Sequence, residues 1–299
     1  MTTLRIIDAH QHFWDLSACD LPWLSGEENI PFRYGDYSAI KKNFLVSDYR
    51  ACAAKQNIVN TVHMEAEWNP ADPVAESRWL TRLSEAEGLP GAIVAQAWLD
   101  REDVADILAA HANFPLVRGI RQKPKAAATP NDYVPNMPGS MMDPKFRAGF
   151  ALLQEHGLSY DLQTPWWHLH EAAELANEFP ATQIIINHTG LPADRSEAGL
   201  NVWRNAIRIA AQLPNIAIKI SGIGVKDQPW TVEANGQIVL DTIEAFGADR
   251  CMFASNFPVD SVVADFDTIF DGFKTITKDF SDEDRNKMFH DNAVRIYRL

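Results

Sequence analysis

The stretch IIDAHQHFWDL, residues 6–16, ends a short apolar run with two histidines, His10 and His12. Side chains two residues apart project from the same face of a β-strand, so the two imidazoles would lie together at the strand's C-terminal end. Such a pair could share a metal ion or a substrate oxygen. The alternative is a pair of hydrogen-bonded polar residues that closes the strand, and the spacing alone does not separate the two.

Further runs of this kind follow along the chain, each made of apolar and β-branched residues that give way to polar residues, Gly or Pro. This pattern is typical of buried parallel strands. The eight predicted strands lie in residues 4–10, 57–66, 91–100, 116–124, 158–165, 183–190, 216–224 and 251–260. Segments with helical periodicity separate them, including residues 73–88, 101–112 and 166–179.

Strands that alternate with helices predict a parallel sheet, and eight such units are the number that closes a (β/α)8 TIM barrel. An open doubly wound sheet is the alternative. We expect residues 1–299 to form a single domain, with loop-rich insertions at 17–45 and 123–142 over the barrel mouth.

The composition narrows the class of function. A net charge of −13 argues against nucleic-acid and anionic-membrane partners, because both require a basic patch. No segment has the length and hydropathy of a signal peptide or a membrane span, and the three cysteines form no CxxC pair. These features favour a cytoplasmic protein that binds a small molecule, and they leave a homo-oligomer open.

Catalytic groups in TIM barrels lie at the C-terminal ends of the strands. The polar residues at the predicted strand ends are His10, His12, His63, Glu65, Gln96, Arg118, Arg121, Asp161, Gln163, Asn187, His188, Lys219, Ser221 and Asn256, with Asp260 just beyond. Burying so many polar groups costs free energy unless they are paired or functional. For Gln96, Lys219 and Ser221 a supporting role is the alternative, and His63 could face outward while Met64 faces inward.

The remaining histidines fall in predicted helical segments, where we expect surface or structural roles. They are His111, His156, His168, His170 and His290.

Arg118 and Arg121 predict an acidic substrate, because guanidinium groups bind carboxylates with two parallel hydrogen bonds. The alternative for either arginine is a structural pair with Asp161 or Glu65. Gln163 is a further candidate substrate contact. Three tryptophans near strand ends, Trp14, Trp166 and Trp167, are expected either to line the pocket or to pack the mouth.

The motifs DAHQHFWD, RGIRQ, INHTG followed by LP, KISG and FASNFPVD together resemble the amidohydrolase superfamily. The resemblance covers essentially the whole chain and points to the amidohydrolase-2 branch, which includes pyrone dicarboxylate lactonase and sugar lactonases. It implies a (β/α)8 barrel with His10, His12 and His188 at the active centre and an aspartate at the end of strand eight. Here Asn256 stands where relatives commonly carry that aspartate.

An amide has no basic site near neutral pH, so Asn256 cannot accept a proton from a hydrolytic water. The candidate bases are therefore Asp161, Glu65 and Asp260. We favour the first two, because a strand end is held more rigidly than a loop.

The resemblance leaves two roles open for the three histidines. They could hold zinc with one open position, or they could donate hydrogen bonds to an ester carbonyl in a metal-free site. The missing strand-eight acid favours the metal-free site over the zinc site.

The expected function is a hydrolase that opens a lactone, or a related cyclic ester, of a sugar acid or an aromatic-degradation intermediate. One alternative is a metal-dependent decarboxylase of an unsaturated carboxylic acid, against which Asn256 counts. Another is a barrel that has lost catalysis and only binds its ligand.

Overall fold

A computed structural model describes residues 4–299 of the chain. Within this range eight parallel strands form one sheet in sequential order, which confirms the predicted TIM barrel and rules out the open doubly wound sheet. The strands are β1 (Ile6–Gln11), β2 (Ile58–Met64), β3 (Ala92–Gln96), β4 (Val117–Gln122), β5 (Ser159–Leu162), β6 (Ile184–Ile186), β7 (Ile216–Ile220) and β8 (Cys251–Phe253).

The segment that follows β8 closes the barrel against β1. The backbone N–H of Asn256 donates to the carbonyl of His10, and the N–H of His12 donates to the carbonyl of Phe257, both at 2.8 Å. Ser255 adds two bonds to the Asp8 carboxylate, one from its backbone N–H at 2.8 Å and one from its hydroxyl at 2.5 Å. The residues that join the first and last strands are therefore neighbours of the candidate site.

Helices surround the sheet, and those expected in residues 73–88, 101–112 and 166–179 are all present. The helices are α1 (Pro22–Ser25), α2 (Val46–Cys52), α3 (Ala75–Glu87), α4 (Val104–Ala112), α5 (Pro144–Ala151), α6 (Leu169–Glu178), α7 (Glu197–Ala211), α8 (Val232–Phe246), α9 (Phe266–Ile276), α10 (Asp282–Asn286) and α11 (Asn292–Tyr297). Gly88 ends α3 with a left-handed φ of 77°, a conformation that glycine adopts without steric cost. Across residues 4–299, no helix combines the length and apolarity needed to cross a membrane.

The barrel interior is packed with apolar side chains rather than open as a pore. This inner cluster contains Ile7, Ala9, Val62, Met64, Ala92, Val94, Ile185, Ala217, Met252 and Ala254. Residues of α11, including Ile296 and Tyr297, pack against the same cluster. Ligands must therefore enter from the opposite end, where the strands terminate.

Both predicted insertions lie at that mouth. In the first, the insertion at 17–45, a β-bridge joins Trp14 to Phe44, and Tyr34 reaches across to donate a hydrogen bond to Asp260 at 3.1 Å. In the second, at 123–142, the N–H of Ala127 donates to His168, which is buried in the turn before α6. His168 thus has the structural role expected for it.

The Ser255–Asp8 contact gives a stability prediction. Ser255→Ala removes a hydroxyl that donates to the buried Asp8 carboxylate. The same hydroxyl accepts from the N–H of Phe257 at 2.9 Å, so this N–H also loses its partner. We expect the free energy of unfolding in urea to fall by about 1–3 kcal/mol. Ser261→Ala, at an exposed serine nearby, is the matched control and should change it by less than about 0.5 kcal/mol. Equal effects in the two variants would show that the contact does not hold the barrel closed.

Candidate active site

Three buried imidazoles converge at the barrel mouth, as the sequence predicts. The ring centroid of His10 lies 5.1 Å from that of His12 and 4.7 Å from that of His188. Each of the three side chains is at most 5% exposed. The cluster therefore joins β1 to the segment that follows β6.

A bulge in β1 turns His10 toward this cluster. From Asp8 to Gln11 the strand advances three residues, while its partner β2 advances two, from Thr61 to His63. Asp8 faces outward and accepts a hydrogen bond from Tyr49 of α2 at 2.8 Å. In a regular strand Asp8 and His10 would share a face, so the extra residue is what separates their directions.

Hydrogen bonds orient two of the three rings. The Nδ1 atom of His12 lies 2.8 Å from the carbonyl oxygen of Met64, which can only accept, so Nδ1 carries the proton and Nε2 keeps its lone pair. The Nδ1 atom of His188 lies 2.9 Å from the hydroxyl of Ser221. In each case one ring nitrogen is held by the protein.

His10 differs from the other two. Both of its ring nitrogens are buried, and neither forms a hydrogen bond with any residue in the 4–299 range. Buried polar atoms in native proteins nearly always have a partner, so an unsatisfied imidazole calls for an explanation outside the chain itself. A ligand atom that bonds to His10 supplies that explanation.

All three imidazoles are uncharged near neutral pH. Burial holds each pKa well below the ordinary value of 6.5. Cations lower each pKa further: Lys219 beside His10, Arg121 beside His12 and Arg33 beside His188. The groups next to the histidines are thus positive, and this favours negative charge on whatever binds there.

Two of the candidate bases, Glu65 and Asp161, form close ion pairs. Glu65 accepts from the Nε atom of Arg121 at 2.6 Å, so the structural pairing considered for Arg121 is present. Asp161 lies 2.8 Å from the ammonium of Lys219 and accepts from the hydroxyl of Tyr297 at 2.9 Å. These carboxylates act as counter-ions to Arg121 and Lys219.

Asp260 is the remaining candidate base. Its Oδ1 atom accepts from the amide of Asn256 at 2.6 Å and from the hydroxyl of Tyr34 at 3.1 Å. Burial raises its pKa to about 6, against the opposing effects of Arg33, Asn256 and Tyr34. The Asn256 amide also forms a hydrogen bond that acts on the pKa of His12, so it links the carboxylate to the imidazoles.

Arg33 is a site residue that the sequence analysis missed, because it lies in a loop without periodicity. Its guanidinium is 3.6 Å from Asp260, and it forms no hydrogen bond within the described chain. Gly222, with φ of 59°, makes room for it, because a Cβ there would lie 2.6 Å from Arg33 and 2.5 Å from His188. The donors of Arg33 therefore remain for a ligand.

Arg118 does not belong to this group, and its predicted place at the mouth is wrong. It is the second residue of β4, where its guanidinium donates to the carbonyl of Pro115 and lies near Arg298. Three residues of strand span about 10 Å, so only Arg121 reaches the C-terminal end. Arg118 is a residue of the opposite end of the barrel.

His63 also turns away from the mouth. Its Nε2 atom pairs with Glu76 of α3 at 3.1 Å, while Met64 faces the barrel interior. This is the orientation that the alternation of side chains along a strand makes possible.

Trp14 is fully buried and donates from its indole to the carbonyl of Lys42, so it packs beneath the mouth. Trp167 packs in the same manner against the carbonyl of Ala127 in the second insertion.

A chamber of about 310 Å³ opens above His12 and His188. Its walls include His12, Phe32, Arg33, Arg121, Lys123, Gln163, His188, Leu191 and Asn256. Gln163, a predicted substrate contact, also accepts a hydrogen bond from Arg121 at 3.2 Å. This volume lies at the small end of the range for small-molecule sites.

The site suits an anion better than a metal ion. In residues 4–299, no three His, Cys, Asp or Glu side chains are arranged to hold a metal. The available donors are the neutral imidazoles, and their charged neighbours Lys219, Arg121 and Arg33 would repel a divalent cation. The same charges would stabilise a carboxylate or an oxyanion, so the residues present do not fit a resident zinc ion.

The sequence profile described as amidohydrolase matches residues 7–299. The chain belongs to the amidohydrolase family. It is 42% identical, over the full length of both chains, to the uncharacterized protein y4mH of Sinorhizobium fredii. It is 26% identical to an L-fucono-1,5-lactonase of Burkholderia multivorans, over 100% of this chain and 97% of that enzyme.

Crystal structures of an amidohydrolase from Burkholderia multivorans share the fold. The form with bound HEPES has a TM-score of 0.81 at 24% identity, and the form with bound zinc has a TM-score of 0.80 at 23% identity. Each alignment covers 98% of this chain and 99% of the other.

The amide at position 256 gives a prediction about metal binding. We expect the natural protein to bind zinc weakly, and Asn256→Asp to raise its zinc affinity at least tenfold, because a carboxylate would join the imidazoles. Calorimetric titration with zinc at pH 7 measures both values. Asn201→Asp, on the exposed face of α7, is the matched control for an added charge.

One zinc per chain in the natural protein as purified, with activity that a chelator abolishes, would contradict this assignment of the site.

Proposed function

We propose that this amidohydrolase opens the lactone ring of a sugar acid that carries a carboxylate. The observation that carries the proposal is the set of neutral imidazoles, with unsatisfied ring nitrogens on His10 and with pKa values lowered by burial and by nearby cations. The similarity to an L-fucono-1,5-lactonase supports the same class of reaction.

The imidazoles take different roles in this reaction because their protons are placed differently. A neutral imidazole has one N–H, and both nitrogens of His10 are free, so its N–H donates to the lactone carbonyl oxygen. His12 holds its proton toward Met64, so its Nε2 atom accepts a hydrogen bond. His10 therefore stabilises the oxyanion as it forms, and His12 accepts a hydrogen bond from the attacking water and helps to orient it.

Asp260 takes the proton from that water in the proposed mechanism. The water oxygen bonds to the carbonyl carbon, and the resulting tetrahedral oxyanion collapses with loss of the ring C–O bond. The departing alkoxide receives the proton back from Asp260, which leaves an open acid and a hydroxyl group. A base with a pKa of about 6 is well matched to this exchange near neutral pH.

Arg33 orients the substrate through its carboxylate. Its side chain is 28% exposed, and its guanidinium has no hydrogen bond in the described chain, so it can bind an acid group with both arms. Arg121 and Lys123 line the same chamber but donate hydrogen bonds to Glu65 and Glu67, whereas Arg33 lies 3.6 Å from Asp260 without a hydrogen bond. Arg33 is therefore the preferred anchor.

Turnover of a panel of aldono- and uronolactones, with and without a second carboxylate, tests the function. We expect hydrolysis of at least one acidic lactone, with kcat/KM rising as the pH increases through about 6, because Asp260 must be ionised to act. Asp260→Asn should lower kcat at least 100-fold. Asp227→Asn, at a carboxylate with a side chain 84% exposed, is the control and should retain activity.

A natural protein that opens no lactone of the panel, or that releases carbon dioxide from an unsaturated acid, would overturn the proposal. Full activity of Asp260→Asn would reject Asp260 as the base.

A further inference from the structure

A second and larger chamber adjoins the first. Its volume is about 1060 Å³, and it extends over the ends of β2, β3 and β4 beneath the second insertion. The two chambers share Trp23, Glu67, Arg121 and Lys123 as a common wall. The proposed hydrolysis of one lactone ring takes place over the histidines and does not use this larger chamber.

Tryptophans form flat walls in the larger chamber. The indole of Trp23 is fixed by a hydrogen bond to the carbonyl of Ala66 at 2.8 Å, and Trp68 is buried beside it. Trp98, in contrast, is 47% exposed in the same chamber. A large aromatic side chain left uncovered inside a cavity is typical of a surface that a ligand ring covers.

Lys125 and Lys145 line this chamber together with the carboxylates of Asp100 and Asp143. Within residues 4–299, neither Lys125 nor Lys145 takes part in an ion pair. The nearby carboxylate of Asp143 is committed to the backbone, because it accepts from the N–H of Gly139 at 2.7 Å and from that of Lys145 at 2.9 Å. The ammonium groups therefore remain available to an anion.

An ion pair marks the passage between the chambers. Glu67 and Lys123 join the loops after β2 and β4, and their side chains are 41% and 43% exposed. The backbone of Glu67 has a left-handed φ of 59°, a strained conformation for a residue with a long side chain. A substrate that occupied both chambers would pass along this pair.

We propose that the larger chamber is a second subsite, which holds a further sugar ring bearing a carboxylate, stacked on Trp98 and paired with Lys125 or Lys145. The substrate class is then the lactone of an acidic disaccharide rather than of a single sugar. This inference rests on the proposed function for the position of the lactone, and it adds a site that the reaction itself does not require.

Equilibrium binding of open-chain acids tests the subsite without requiring turnover. The probes are matched pairs of hexonates, each as the monosaccharide acid and with a glucuronyl ring attached. We expect the disaccharide acid to bind at least tenfold more tightly in calorimetry in at least one pair. A ratio near one in every pair, or no binding of any disaccharide acid at millimolar concentration, would overturn the inference.

Variants test which residues provide the extra affinity for the disaccharide acid. Trp98→Ala and Lys125→Ala should each reduce the ratio about threefold or more, and Trp98→Phe should keep most of it because a flat ring remains. Val202→Ala, at a side chain 45% exposed on α7, is the control and should leave the ratio unchanged. An unchanged ratio in both alanine variants would place the second ring elsewhere and overturn the inference.

The binding and turnover assays test the subsite and the proposed function separately, so either can be rejected while the other stands. Monosaccharide lactones that are hydrolysed without any disaccharide preference would reject the subsite alone. Tight binding of disaccharide acids by a protein that opens no lactone would reject the proposed function and keep the subsite.

Discussion

The mouth of this barrel depends on the pairing of buried charges. Three carboxylates lie beside three cations, as Glu65 with Arg121, Asp161 with Lys219 and Asp260 with Arg33. Because an isolated buried charge is expensive, each partner is needed to keep the other in place. Burial, together with the cationic members of these pairs, keeps the imidazoles neutral.

This pairing ties the site to the fold. Lys219 in β7 holds Asp161 in β5, and Asp161 in turn accepts from Tyr297 of α11, the helix that packs on the opposite end of the barrel interior. Arg33 and Tyr34 bring the first insertion onto Asp260 in the same way. Removing one member of such a group leaves an uncompensated charge, so the insertions and the last helix help to position the site.

The strands and the histidine cluster could be predicted from the sequence, because apolar runs that end in polar residues have a local signature. The separation of Arg118 from Arg121 could not, since it depends on where β4 begins. The bulge that redirects His10 has no clear signal in the residues that form it. The roles of Tyr297 and Arg33 depend on contacts between distant parts of the chain, which a single sequence does not reveal.

The contacts of the three candidate carboxylates depend on long-range pairing in a similar way. Rigidity at a strand end favours Asp161 and Glu65 as the base, yet that position also brings them within reach of cations on neighbouring strands. Asp260 lies past the strand end, where burial outweighs its pairing with Arg33 and raises its pKa to about 6. We therefore propose Asp260, rather than Asp161 or Glu65, as the acid that exchanges a proton.

The central claim is that the three imidazoles are neutral, so that His10 can donate to an oxyanion while His12 keeps a lone pair for the attacking water. Nitrogen NMR of protein labelled at histidine tests it most directly, because the 15N shifts report both the charge and the tautomer of each ring. The account predicts that His10, His12 and His188 stay neutral from pH 8 to pH 5.5, with the proton of His12 on Nδ1. Titration of any of the three near the ordinary histidine pKa of about 6.5 would contradict it.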